Sequence, residues 1–392
     1  MSFDGLLILP TWGYVVVALG MTHVTIASMT IYLHRHQAHT ALDLSPAVSH
    51  FFRFWLWLTT ATVTREWVAI HRKHHARCET PDDPHSPRHK GILGVLFGGW
   101  MLYRREAVNQ ETLVRFGRGT PDDRLEHELY SKHRNVGILL MLLIDIALFG
   151  LAGAAIFVVQ MLWIPFWAAG VINGLGHYLG YRNFETPDAS TNILPWGILI
   201  GGEELHNNHH AYMASARLSN KWWEFDIGWA YLRLLAMCRL AKIKRLAPRT
   251  ISRGMNGLID RDTARAVFSQ RFLILKRYGQ VVIRPALRQA KRNTDRMGRK
   301  FIKRARKLIT REGLPVDSRA QETVDRALLQ DETLATIYRF KQQLKEVWSR
   351  GSSDEPGRVE RLRAWCAASE QSGIEALEEF AAYLRGYRFE KL

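Results

Sequence analysis

Gly201–His210 reads GGEELHNNHH, and the rest of the chain is interpreted outward from it. His206, His209 and His210 stand at i, i+3 and i+4, so a helical backbone turning ~100° per residue puts all three imidazoles on one face. The same spacing recurs at His71, His74 and His75 in HRKHH, and a looser pair, His34 and His39, lies in HRHQAH. A single such cluster on a helix is usually polar decoration. Two copies and a third pair, all set among apolar segments, point to bound metal instead of surface histidines.

All 16 histidines lie at or before His210. The chain of 392 residues is therefore read as two domains, an apolar, histidine-bearing one over 1–245 and a charged one over 246–392. The formal net charge of +17 is local: between Lys242 and Arg311 there are 22 Lys/Arg and 3 Asp/Glu, which accounts for the whole excess. Cys78, Cys238 and Cys366 are far apart and form no CxxC, which argues against a disulfide framework or a thiolate metal site and for a reducing compartment.

Leu6–Leu33 has no Lys or Arg and is long enough for a bilayer, which needs ~20 apolar residues. With no basic residue before it and no small-residue cleavage site after it, the run is expected to be a retained membrane helix and not a signal peptide. It ends in His34-Arg35-His36, which by the positive-inside rule faces the cytoplasm. Pro46–Val63 is apolar but carries His50 and Arg53. A full crossing there would place His34/His39 and His71/His74/His75 on opposite faces, so the expectation is an interfacial or re-entrant helix with Arg53, Trp55 and Trp57 at headgroup level.

Ala76–Asn135 is polar, and its apolar piece Gly91–Tyr103, too short to span, is expected to lie on the surface. His85, His89, His127 and His133 lack ligand spacing there and read as solvated loop residues. Val136–Gly176 has one acid, Asp145, and no base, which leaves room for two crossings joined near Gly150–Gly153. Asp145 is unusual inside a span, and packing against another helix accounts for it as well as a function does. Lys221–Lys244 is Trp-rich and amphipathic and reads as interfacial; residues after about Ala247 read as soluble helices, with breaks at Gly313–Pro315 and Gly351–Gly357. The fold class expected is all-α: transmembrane helices capped by a cytoplasmic histidine-bearing metal domain, followed by a soluble, basic helical region.

His34, His39, His71, His74, His75, His206, His209 and His210 with His177 make nine imidazoles. A structural zinc takes four ligands and a catalytic one three, so nine fit two ions. Imidazole suits several metals alike. The setting chooses: a paired site at the mouth of a membrane bundle receives a lipid tail, and an alkyl C–H bond yields to an oxidising centre, not to redox-inert zinc.

HRHQAH, EWVAIHRKHH, NGLGHYLGYRNFE and GGEELHNNHH, in this order and spacing, resemble the membrane fatty acid desaturases of the stearoyl-CoA (delta-9) type, and most closely the bacterial acyl-lipid or acyl-CoA desaturases. The resemblance covers about Leu6 to Arg245. It implies two irons held by His34, His39, His71, His74, His75, His177, His206, His209 and His210, with Asn173 reaching one iron through water. It also implies that Trp67 stands beside the bend of an acyl tunnel. His36 falls inside the first box where the family does not require histidine, and is read as structural. Only one membrane helix fits before the first box, where many members have two, so three crossings with the N-terminus outside are expected. No HPGG haem motif occurs, so electrons are expected from a separate ferredoxin-like donor or reductase.

The activity implied is oxygen-dependent introduction of a cis double bond, at the delta-9 position, into a saturated chain carried on CoA or phospholipid. A histidine-box hydroxylase or monooxygenase of a lipid or alkane is the alternative, and a non-catalytic metal-binding membrane protein is a third reading. The location implied is a bacterial inner membrane with the site facing the cytoplasm. The basic segment 242–311 is assigned first to anionic lipid headgroups, where each nearby Lys/Arg adds ~1 kcal/mol, and second to an acidic electron carrier. Nucleic acid ranks last, because no recognition motif or aromatic platform accompanies the charge.

Overall fold

The computed structural model describes residues 5–252, 257–315, 317–348 and 355–390. They divide into two compact units: Met1–Arg182 with Ser190–Ala247, and Asn183–Ala189 with Pro248–Leu392.

The first unit begins with helix α1, Thr11–Ser28, which runs on into a π-wound stretch, Met29–Ala38. No charged residue interrupts Thr11–Leu33, and Trp12, Val15, Val16 and Leu19 are exposed, so the outer face of α1 is apolar. A second long apolar stretch, Arg134–Leu175, is the other one among the described residues able by length and composition to cross a membrane. It does not run straight. Gly150 has φ 60° and ψ −134°, a conformation glycine adopts without steric cost. Gln160 Nε2 donates to Asp145 Oδ2 at 2.9 Å, although fifteen residues of straight helix would part them by ~22 Å. The chain therefore reverses at Gly150, inside the stretch where a joint was expected. The amides of Leu6 and Leu7 donate to the carbonyls of Ala147 and Leu148, so the N-terminal segment lies beside this turn, at the end of α1 remote from the histidines.

Helix α2, Pro46–Thr60, has 15 residues, about 22 Å, which is short of the ~30 Å hydrocarbon layer. Its polar side chains find their partners within the fold. Arg53 is buried and paired with Asp123 at 2.6 Å and Glu126 at 2.9 Å, and Trp57 is buried with its indole N–H on His133 O. Trp55 donates to Thr25 Oγ1. An ion-paired guanidinium inside a fold is cheaper than a lone one, and the two acids that make this possible lie seventy residues downstream.

Helix α3, Thr64–Arg77, carries the second histidine box and follows α2 closely. Helix α4, Ile92–Ala107, lies at the surface, with Leu93, Phe97, Trp100 and Met101 exposed, and packs its glycine face on the π-wound segment Pro165–Ile172. The approach is so close that a Cβ on Gly99 would lie 2.4 Å from Ala169 O, and one on Gly170 would lie 2.2 Å from Leu96 O. Only glycine at both positions lets these backbones meet. Leu42–Leu44 pairs antiparallel with Ala241–Ile243, joining the end of the first box to the end of the unit. Between them, Arg35 is buried and fastens the loops around the third box: its guanidinium binds Asp226 at 2.9 and 3.2 Å and donates to Gly201 O and Ala216 O.

Among its described residues the second unit is mainly helical between Arg261 and Arg385, with one antiparallel pair, Thr250–Ser252 against Tyr387–Phe389. Helices begin at Asp260, Asp295, Asp317 and Asp331, whose carboxylates each accept a backbone N–H three residues on, an N-cap that satisfies an otherwise orphaned donor. Arg296–Thr310 buries Ile302, Ala305 and Ile309 and leaves Arg299, Lys300, Lys303, Arg304, Arg306 and Lys307 outside. The break at Gly313–Pro315 separates helices; residues 351–354 of the other expected break lie outside the described residues, and Gly357 is within helix Glu355–Glu370.

Candidate metal centre

The site is assembled from four backbone devices. The π-wound end of α1 carries His34 and stops at His39, whose N–H bonds His34 O five residues back; π-windings of this kind gather at functional sites. α3 presents His71 and His75 on one face and His74 beside them. His177 follows the short helix Asn173–Leu175, and the helix His206–Ala211 presents the third box.

Five of these side chains converge. His34, His39, His71, His75 and His209 each place a ring nitrogen within 4.8 Å of the others. The Nε2 atoms run His34–His209 3.1 Å, His209–His75 2.9 Å, His75–His71 3.1 Å and His71–His39 2.8 Å. The other four form a second group: His206 Nε2 is 3.0 Å from His177 Nε2 and 3.1 Å from His210 Nε2, and His74 and His210 share a metal-sized cluster with His177. The groups adjoin where the rings of His75 and His210 lie 4.5 Å apart.

Carboxylates set the direction of the nitrogens. His34 Nδ1 is 2.7 Å from Glu203, His74 Nδ1 is 3.0 Å from Asp83, and His177 Nδ1 is 3.1 Å from Glu79. An ionised carboxylate only accepts, so each of these imidazoles carries its proton on Nδ1 and turns a bare Nε2 lone pair to the interior. Burial opposes ionisation of Glu203, Asp83 and Glu79, but their histidine partners outweigh it and hold all three below the usual carboxylate range. Burial, reinforced by neighbouring imidazoles, keeps His39, His71, His75 and His209 well below the ordinary histidine value, hence neutral. Buried lone pairs facing one another, with their protons held on the far side, are the donor set a metal ion needs. The residues fit two such ions.

The remaining sequence candidates fall around these groups. Trp67 stacks on His71 with centroids 4.8 Å apart and planes at 14°. Trp67 and Asn173 both line a cavity of about 1100 Å³ that also reaches His34, His71 and His206. His36 stands apart from both groups, its Nδ1 on Leu42 O at 3.0 Å.

Two expectations are corrected here. His85 is not a solvated loop residue: it is buried, stacks on His74 at 4.4 Å, borders the cavity, and is pushed down to about 3 by burial and by His74. The DPH turn hides it, because Asp83 accepts the backbone N–H of His85 while also holding His74. Nor are thiols absent from the metal-sized clusters, as the cysteine spacing suggested: Cys78 Sγ lies 3.9 Å from His74 Nε2 and groups with His74, His177 and His210. His89, His127 and His133 are exposed as expected. The three carboxylates behind the histidines went unread in the sequence. The available signal was position: Glu79 and Asp83 follow the second box within eight residues, and Glu203 precedes the third by three.

Comparison with known proteins bears on the same residues. Residues 10–239 match the fatty acid desaturase family. The chain is 30% identical over 232 residues to the sn-1 stearoyl-lipid 9-desaturase of Synechocystis, covering 57% of this chain and 68% of that one. It is 29% identical over 257 residues to the delta-9 acyl-lipid desaturase 1 of Arabidopsis thaliana, covering 62% and 79%. It is 31% identical over 222 residues to the icosanoyl-CoA 5-desaturase of Limnanthes douglasii, covering 55% and 60%. Residues 263–391 match a transposase family, a third of the chain that holds no histidine and, among its described residues, no sheet larger than two strands. The match over 10–239 contains every histidine of both groups, and the chain accordingly belongs to the fatty acid desaturase family and is an oxidoreductase.

Proposed function

We propose that this protein is a membrane-bound, di-iron acyl desaturase that introduces a cis double bond at the delta-9 position of a saturated chain carried on phospholipid or CoA. The observation that carries the reading is the pair of histidine groups opening on one cavity of about 1100 Å³ whose walls are mostly apolar. His34, His39, His71, His75 and His209 hold one iron; His74, His177, His206 and His210 hold the other, with Asn173 reaching it through water. When bound, the irons supply an oxidant able to take hydrogen from an unactivated methylene. The overall change removes two vicinal hydrogens from the chain and reduces dioxygen to two waters with two electrons and two protons. The electrons come from a separate ferredoxin-like donor or reductase.

The chain's own residues do the positioning. Glu203, Asp83 and Glu79 hold the protons of His34, His74 and His177 on Nδ1, and burial keeps the remaining imidazoles neutral and ready to ligate. Trp67 and Asn173 border the cavity beside the histidines, so a methylene chain lying in it passes the site. The identities near 30% are shared by relatives named for lipid-linked and CoA-linked chains and for positions 9 and 5, so the delta-9 assignment rests on the histidine-box resemblance.

In this reading residues 1–245 form the catalytic membrane domain. α1 and the two arms of the Gly150 hairpin cross a bacterial inner membrane, the N-terminus lies outside, and the histidines face the cytoplasm. The exposed apolar belt of Leu139, Leu140, Leu143, Leu151, Val158 and Leu162 supports it, because water does not favour a patch of that size. Residues 246–392 form a cytoplasmic helical domain, and the basic segment 242–311, which leads into it, rests on anionic headgroups. The apolar side of Arg296–Thr310 is used inside its own core, so this attachment is electrostatic and not an insertion.

Expression in a host lacking unsaturated fatty acids, with double bonds located by mass spectrometry in each lipid class, tests the proposal. An oxygen-dependent 9-alkene is expected. An alcohol would select the hydroxylase alternative, and iron without any oxygen-dependent lipid product would select a metal-binding role.

A further inference from the structure

Residues 183–189 lie inside the span that matches the desaturase family, yet they pack as part of the second compact unit. Glu185, buried at the middle of this loop, is where they are held. Its backbone N–H donates to Phe272 O at 3.1 Å. Its carboxylate accepts from Lys276 Nζ at 3.4 Å on Oε1 and from the backbone N–H of Glu312 at 3.1 Å on Oε2. Glu312 in turn pairs with Lys341 at 2.7 Å and with Lys345 at 2.8 Å. A Cβ on Gly313 would strike the carbonyl of Asp188, so the chain after Glu312 closes on the same loop.

The two stems of the loop lead to metal-binding residues. Tyr181 and Asn192 exchange backbone hydrogen bonds at 2.9 and 2.7 Å, and Arg182 donates to Ser190 O at 2.9 Å. The N–H of Thr191 donates at 2.6 Å to the carbonyl of Gly176, the residue before His177. Asn192 Oδ1 accepts the N–H of Asn208 at 3.1 Å, and its Nδ2 donates to Asn208 Oδ1 at 3.0 Å. Asn208 stands between His206 and His209. The stems therefore reach His177, His206 and His210, three of the four-histidine group. Of the five-histidine group they reach only His209, because His34, His39, His71 and His75 come from earlier segments. A loop that served only to join two units would be held well enough by apolar contact. Burying a carboxylate is costly and its pairing with a cation repays little net stability; what such a pair supplies is one defined position.

We propose that Glu185 is a positioning residue: gripped by the helical unit, it fixes the 176–192 hairpin and so the aim of His177, His206 and His210. The charged C-terminal unit then serves the metal centre, and its role is not confined to a membrane surface. The inference rests on the four-histidine group being a metal site, as in the function proposed above.

The test uses the full-length protein and substitutes Lys276, which lies outside residues 10–239. Lys276→Met removes the cation and keeps a side chain of similar length, and Lys276→Arg keeps the charge. Iron titration with Mössbauer spectroscopy is expected to show one of the two irons bound about tenfold more weakly in Lys276→Met, with Lys276→Arg matching the wild type. In the iron-free protein, segment-resolved hydrogen exchange over 176–182 and 190–193 is expected to be about tenfold faster in Lys276→Met, with residues 261–310 unchanged. Both irons held with wild-type affinity in Lys276→Met would overturn the proposal. So would equal loss of both irons with faster exchange throughout the helices, the mark of a residue that only holds the fold. Glu185→Gln, which keeps an acceptor for the Glu312 N–H, serves if the methionine variant fails to fold. A wild type that bound no iron would defeat the di-iron function, and the exchange ratio would still judge Glu185.

Discussion

The two compact units of this chain put their polar and apolar groups in opposite places. In the second, Ile274, Ile302, Ile309, Leu344, Leu362 and Phe380 belong to one continuous buried cluster, and most of the cations stand outside, Lys341 being buried against Glu312. In the first, buried apolar residues form four smaller clusters, while His34, Arg35, His74, Asp83, Asp145, Glu203 and His209 are inside and leucines and valines are outside. On the proposed reading, with the first unit in a bilayer and the second in water, the difference follows from what each unit faces. A soluble helical unit gains stability by hiding hydrocarbon. A unit surrounded by hydrocarbon gains little that way and is held together by close backbone packing and hydrogen bonds, as at Gly99–Gly170 and Arg35–Asp226.

The largest effect expected from disturbing that contrast lies at the histidines. His74→Ala or His209→Ala should abolish desaturation and release iron, because each removes a ligand from a group of four or five. Retained activity and iron content in either variant would break the assignment.

Next come the carboxylates. Glu203→Gln and Asp83→Asn keep shape but lose the charge that holds a proton on Nδ1, and should cost about 10–100-fold in iron affinity or activity. Iron titration of the purified variants reads this directly, with helical content unchanged.

Charge reversal at Lys300, Lys303, Arg304 and Lys307 tests the other unit. With each cation contributing ~1 kcal/mol near an anionic surface, binding to phosphatidylserine-containing vesicles should fall by about a hundredfold or more at low salt and lose its salt dependence. Unchanged vesicle binding with a raised requirement for the electron donor would move the partner to an acidic carrier.

Acid should separate the units more gently. His85 is neutral and pushed down to about 3, below the ordinary 6.5, and His39, His71, His75 and His209 shift the same way. The unfolded chain therefore binds protons that the folded one does not, so stability conferred by these groups is full above pH 6.5 and falls as the pH drops from 6.5 toward 3. The second unit contains no histidine and should show no such loss in that window. Hydrogen exchange of the iron-free protein at pH 7 and pH 5, resolved by segment, would decide it. The smallest effect is expected at His133, exposed and remote from both groups: His133→Ala should leave iron content and activity within error, and a loss would mean the site extends further than its two clusters.

Sequence reading reached the chemistry more easily than the packing. The i, i+3, i+4 spacing of His71/His74/His75 and of His206/His209/His210 is a local property of helices, so the chain alone could present these imidazoles together. The reversal near Gly150 was equally legible, since an apolar run twice a bilayer's need must fold back. The partners of Arg53 and of the Ile92–Ala107 helix were not legible, because they come from Asp123, Glu126 and Gly170, none of them near in sequence.

By itself, then, the sequence determined the histidine chemistry, the resemblance that names the family, the apolar runs and the separation of the basic helices from them. These are composition and short-range periodicity. Only the tertiary structure decided how nine imidazoles divide into five and four, which three of them lean on Glu203, Asp83 and Glu79, that His85 is buried against His74, and that Gln160 meets Asp145 at the wall of the cavity. Helical spacing fixes the face on which a side chain stands. What meets that face depends on where distant segments return, and the chain's packing settles it.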